Sequence, residues 1–295
     1  VSDTKRHRGL ELALIGVAAI WGFTFPVVKD AVAIIPPFEF LAIRFAIAAA
    51  VLTLVFARQL RAFLALGRRA LLAGAGAGLA LFAGYTFQTV GLQYTTASNA
   101  GFITGLFVVF TPILSAVILR RFPARGAIAG VVLATGGLFL LSDTGHGLRL
   151  GHGDLLMLGC AFSFAVHIVI LGRFAPDLPT GPLVVIQLWV TATLSAWASL
   201  MVETPVAAAG SDVWLPILLT ALYASAIGFF VQTAAQRVVS PTRTAVILVS
   251  EPAFAGLAGY LLLGERLTTL GWTGAALILA GMLTAELTPT RDAEG

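Results

Sequence analysis

The chain has 295 residues, 58% of them apolar and only 11% charged, with a net charge of +4 and a mean hydropathy of +0.95. Soluble domains carry roughly 25% charged residues, so this composition excludes a soluble enzyme or binding domain. Its single cysteine, Cys160, excludes an intrachain disulfide and a cysteine-based metal site, and inside an apolar run it reads as a small buried residue.

Apolar runs of 17–22 residues recur along the chain, each long enough to cross a ~30 Å hydrocarbon core. They predict an all-α integral membrane protein with ten transmembrane helices, at 10–28, 38–57, 70–91, 98–119, 126–142, 155–172, 183–202, 213–234, 244–263 and 271–288. The period-2 alternation of a membrane barrel is missing. The basic N-terminus before the first run resembles a signal peptide, but nine further spans favour a retained helix.

In chain order, the first span places Trp21 and Phe25 on one face, just ahead of Pro26. The second contains Arg44, which either binds a cargo carboxylate or pairs with Glu39 or Glu251; the structural role is favoured, because an always-charged guanidinium is a common buried-pair partner. Tyr85, Gln88 and Leu92 follow at i, i+3, i+7 on the third, and Asn99 and Phe102 at i, i+3 on the fourth, which also holds Pro112. Between the fifth and sixth spans, "SDTGHGLRLGHGD" offers Asp143, His146, His152 and Asp154 in irregular spacing, which reads as a linker and not a metal site.

Phe164 and His167 share a face of the sixth span with Cys160. His167 binds cargo, relays protons, or is simply bonded to a neighbour. The eighth span repeats the spacing of the third as Phe229, Gln232 and Gln236. Buried amides need partners, so the Gln residues with surrounding aromatics predict a cavity. In the ninth span, Glu251-Pro252 lies about 10 Å deep at 1.5 Å per residue. A charge at that depth costs ~2.5–3.5 kcal/mol on insertion scales. It marks either a gate or cargo contact, or a kink whose carboxylate bonds freed backbone groups or an Arg. Pro252 and Pro112 would loosen one helix in each half.

Fourteen Lys and Arg fall on one set of alternate loops, while only Lys29, Arg149 and Arg266 fall on the other. This bias predicts cytoplasmic termini in the inner (plasma) membrane, and explains the net charge without a nucleic-acid partner.

The chain also reads as a duplication. At an offset of 143 or 144, Gly16 meets Gly159, Trp21 meets Phe164, Pro36 meets Pro179, Gly84 meets Gly228 and Gly137 meets Gly281. "FQT" (87–89) meets "VQT" (231–233), while Pro112 and Pro252 are 140 apart. The repeats are expected at 1–145 and 146–295. With five spans each, the second inserts upside down relative to the first, an arrangement that puts a carrier's site near the midplane between the copies. Gly74/Gly78, Gly101/Gly105 and Gly126/Gly130 allow close helix packing, within a monomer or a weak homodimer.

"AIWGFTFPVVKDAV" (19–32), "FLAIRFAIAA" (40–49), "TTASNAGFITGLFVVFTPILSAVIL" (95–119) and "TRTAVILVSEPAFAGLAGYLLLGERLTTLGWTGAALILAG" (242–281) resemble the EamA-type branch of the drug/metabolite transporter superfamily. The Gly264-Glu265-Arg266 turn after the Glu-Pro helix matches that family, whereas the equivalent Arg120-Arg121-Phe122 departs from it. The resemblance implies ten helices in two inverted five-helix repeats around a central cavity, and export of amino acids, with aromatic ones favoured, or other small metabolites. It implies no cofactor and no enzymatic activity; the expected partners are a small-molecule cargo and the lipid bilayer. With Arg44 the only deep cation, phosphorylated cargo is disfavoured. Aromatic and amide walls with one carboxylate suit a neutral or zwitterionic molecule. Multidrug or cation efflux is the alternative, and a membrane-embedded enzyme a more remote one.

Overall fold

The computed structural model describes residues 2–118, 151–204, 206, 210–248 and 250–287, plus seven residues between 129 and 140. Every regular element described is helical. The first half supplies α1 (Ser2–Ala31), α2 (Pro37–Leu64), α3 (Arg68–Gly91), α4 (Ala97–Thr104) and α5 (Phe107–Ile118). The second supplies α6 (His152–Phe174), α7 (Thr180–Val202), α8 (Ser211–Leu219), a π-helical stretch (Thr220–Ile227), α9 (Gly228–Ala235), α10 (Pro241–Leu248), α11 (Glu251–Leu263) and α12 (Thr269–Leu287).

Eight stretches among the described residues are long and apolar enough to cross a membrane. Of the ten predicted, the fifth (126–142) falls largely outside the described residues, as do Asp143 and His146. The tenth is α12, whose apolar part, Thr269–Gly281, is shorter.

The fourth and ninth spans are each interrupted. The turn at Gly105–Leu106 separates α4 from α5, and tighter i→i−3 bonds bridge it, from Val108 N to Gly105 O (3.1 Å) and Val109 N to Leu106 O (2.9 Å). Pro112 stands inside α5, so the interruption lies seven residues before it. Pro252 instead occupies the first turn of α11, where a missing donor costs nothing because those N–H groups have no intrahelical acceptor.

Helix boundaries recur along the chain. α4 ends and α5 begins 144 residues before α10 ends and α11 begins, and α3 ends 144 residues before α9. The starts of α2 and α3 precede those of α7 and α8 by 143. The π-helical stretch breaks this correspondence, because its counterpart in α3 is ordinary α-helix.

Packing runs mainly between halves. α2 lies on α7, α3 on α6 and α7, α1 on α9 and α11, and α4 on α6 and α11. Small residues set these distances. A Cβ at Gly78 would lie 2.6 Å from the Gln187 carbonyl oxygen, and one at Gly101 would lie 2.2 Å from Ala255 Cβ.

Carboxylates from the second half cap helix N-termini of the first. Glu265 accepts from Ala97 N (2.8 Å), Ser98 N (2.9 Å) and Ser98 Oγ (2.7 Å) in the first turn of α4. Glu203 accepts from Phe38 N (2.9 Å) and Glu39 N (3.0 Å) in the first turn of α2. Both satisfy orphan donors and meet the positive end of a helix dipole. Gly264 makes the Glu265 contact possible: at φ +64° it closes α11 in the left-handed region and turns the chain back, so that Glu265 N donates to Gly259 O. Asp154 accepts from Thr95 Oγ1 (2.9 Å) and Gly151 N (3.0 Å), and Lys29 Nζ donates to the Thr95 carbonyl. Glu265→Ala is expected to destabilise the protein by about 2–3 kcal/mol, the scale of losing charge-assisted bonds to a helix terminus. A lower thermal midpoint in detergent would register it.

Candidate functional site

Between the halves lies a narrow, partly open cavity, with about 440 Å³ of space among its lining atoms when open solvent is included. Its walls follow the 143–144 offset. Trp21 and Phe164, Thr24 and His167, and Phe25 and Ile168 line it as pairs 143 residues apart. Tyr85 and Phe229, Gln88 and Gln232, and Phe107 and Glu251 do so as pairs 144 apart. Leu248 completes the lining; its mate, Thr104, bonds Met157 and Cys160 sulfurs instead.

Each half receives an aromatic side chain from the other. A Cβ at Gly84 would lie 2.5 Å from the Phe164 ring, and one at its mate Gly228 would lie 2.8 Å from the Trp21 indole nitrogen. Trp21 Nε1 donates to the Ala224 carbonyl in the π-helical stretch (2.8 Å), and its ring leans on Phe229 with centroids 5.3 Å apart. Tyr85 presents its edge to Phe164 (5.2 Å) and packs on Phe229 (6.0 Å). His167 meets Phe229 edge-on at 5.7 Å, while its Nε2 lies 2.7 Å from Gln187 Oε1, an atom that only accepts, so the ring donates there. Gln187 in turn donates to Thr233 Oγ1 (3.3 Å).

Nine of the twelve residues expected around a cavity therefore line it: Trp21, Phe25, Tyr85, Gln88, Phe164, His167, Phe229, Gln232 and Glu251. Asn99, Phe102 and Gln236 do not. Asn99 sits in the first turn of α4, its backbone N–H bonded to Thr96 Oγ1. Phe102 is buried against Gly256 of α11. Gln236 lies behind the wall and donates to the Ile168 carbonyl (2.8 Å). Thr24, Phe107, Ile168 and Leu248 were not anticipated. The first three are repeat mates of His167, Glu251 and Phe25, so the offset already visible in the sequence could have found them.

Among the described residues, Glu251 is the only charged one on the cavity wall; it is 4% exposed, and its carboxylate accepts no hydrogen bond from any of them. Gln232 Oε1 is buried there with no partner among the described residues. Arg44 lies one layer back, 1% exposed. Its pairing with Glu39 or Glu251 is not seen: Glu39 accepts from Val206 N (2.8 Å), whereas Arg44 Nε donates to Ser225 Oγ (2.8 Å) and Nη2 reaches Tyr85 Oη at 3.5 Å. The guanidinium lies 4.8 Å from the Tyr85 ring centre and 5.1 Å from that of Phe45, both within cation–π range. Among the described residues, no group of three His, Cys, Asp or Glu side chains is placed to hold a metal.

The model of the EamA-like transporter family matches the chain twice, at residues 9–143 and 151–285. An "uncharacterized transporter" of Archaeoglobus fulgidus is 36% identical over 295 residues, covering 97% of this chain and 91% of its own. The "uncharacterized transporter YyaM" of Bacillus subtilis (strain 168) is 24% identical over 298 residues, covering 95% and 94%. A protein of known crystal structure superposes with a TM-score of 0.67 at 22% identity, over 94% of this chain and 96% of that one, which speaks to the fold alone.

Proposed function

Because the chain belongs to the EamA-like transporter family, we propose that this membrane transporter exports small neutral or zwitterionic metabolites, foremost amino acids with aromatic side chains. Export runs across the inner membrane, with both termini cytoplasmic and two inverted five-helix repeats at 1–145 and 146–295 rocking about the cavity. The observation that carries the reading is an aromatic-walled cavity between the halves whose carboxylate, Glu251, has no partner among the described residues. A buried charge without a counter-charge is costly, and a cargo ammonium would offset that cost. The paired lining residues and matching helix boundaries support two equivalent copies. Since the cavity is narrow here, a ring-bearing cargo enters as the walls part.

The test is a panel of labelled amino acids, nucleosides and organic cations offered to the purified carrier in liposomes. The proposal expects saturable uptake of aromatic amino acids; uptake confined to nucleosides would refute it. A second reading, cation efflux, is favoured by the absence of Lys and Arg among the described residues of the cavity wall. Competition among chemically unrelated cations, with amino acids inert, would select it.

A further inference from the structure

A cavity built from two copies is electrically even unless the copies differ. Here they differ at two buried charges of opposite sign. The repeat mate of Glu251 is the apolar Phe107, and the mate of Arg44 is the neutral Gln187. Neither charge has an oppositely charged partner among the described residues; the Arg44 guanidinium stacks on the Tyr85 ring, and Tyr85 and Glu251 line the same cavity. Arg44 can only donate, so at the 3.5 Å Tyr85 contact the phenol oxygen is the acceptor and its own hydrogen is directed elsewhere. No described residue accepts that hydrogen, and Tyr85 lines the cavity.

We propose that Tyr85, backed by the Arg44 guanidinium, is the carboxylate end of a two-ended site whose ammonium end is formed by Glu251 and the unpartnered carbonyl oxygen of Gln232. The cargo is then an aromatic α-amino acid recognised through both of its charges. Its carboxylate accepts from the Tyr85 hydroxyl in the field of Arg44, its ammonium donates to Glu251 and Gln232, and its ring lies among Trp21, Phe164 and Phe229. Arg44 does not reach the cavity and acts through Tyr85 as a positioning residue. The proposal rests on the cavity being the cargo site and adds which residues read which group.

The experiment uses the full chain in liposomes, with labelled L-phenylalanine as cargo and 2-phenylethylamine, which keeps the ring and ammonium but lacks the carboxylate, as competitor. The wild type is expected to prefer L-phenylalanine by about tenfold or more, the scale of one hydrogen bond to a charged group. Tyr85→Phe, which removes one oxygen and keeps the ring, should raise the L-phenylalanine KM until that preference collapses. Arg44→Gln should shift KM in the same direction with kcat largely retained. Glu251→Gln should weaken both compounds together. A preference that Tyr85→Phe leaves unchanged, while Glu251→Gln still weakens both, overturns the carboxylate end alone. Indifference of both compounds to Glu251→Gln overturns the cavity reading beneath it. Should Arg44→Gln not fold, the Tyr85→Phe result decides.

Discussion

Glu251→Gln is expected to reduce transport by about tenfold or more while leaving the amount of folded protein unchanged. The substitution keeps the shape of the side chain and removes only its charge. Were the carboxylate a structural element, it would be bonded to the peptide groups around Pro252 or to an Arg, and replacing it would lower stability first. Instead it meets no donor among the described residues and faces the cavity. Equal transport at equal expression would remove Glu251 from both gate and cargo contact.

The second large effect concerns stability and movement together. A Cβ at Gly22 would lie 2.5 Å from Phe254 Cβ and 2.8 Å from both Ala255 N and the Glu251 carbonyl oxygen. Two of these are backbone atoms of α11, so relief requires moving a helix and not a side chain. Gly22→Ala is expected to cost about 1–3 kcal/mol, as overpacking of a tight interface does. It should also impair transport, because Trp21, the next residue, is part of the cavity wall. Gly16, on the same helix, is the control. No described residue lies within 4 Å of its would-be Cβ, so Gly16→Ala should be neutral, or stabilising by up to ~1 kcal/mol through helix propensity. Thermal melts of the two purified variants compare them directly; equal midpoints would contradict the close α1–α11 contact.

Much of the helical layout could be read from hydropathy, because a run able to cross the bilayer has few alternatives in lipid. The interruptions were harder. Pro112 looked like the weak point of the fourth span, yet the chain turns at Gly105–Leu106 and leaves Pro112 inside α5. Helical periodicity says which residues share a face, but not which face meets the other half. Gln236 and Phe102 therefore shared faces with apparent cavity residues and still lie behind the wall or between helices. The π-helical stretch was invisible, since nothing in "TALYASAI" distinguishes it from ordinary helix, although it supplies the partners of Trp21 and Arg44. Applying the 143–144 offset to every candidate would have recovered Thr24, Phe107 and Ile168. The 143–144 offset carried more information about the cavity lining than any single motif.

The most direct test of a cavity that opens to each side in turn uses a single reporter thiol. With Cys160 changed to Ser, Thr24→Cys places the chain's one cysteine on the cavity wall. A membrane-impermeant thiol reagent is then applied from one face or the other of oriented vesicles, with and without L-phenylalanine. Modification from both faces, slowed by L-phenylalanine, is the predicted result. A thiol reached from neither face, or from a single face at a rate L-phenylalanine does not alter, would contradict the account.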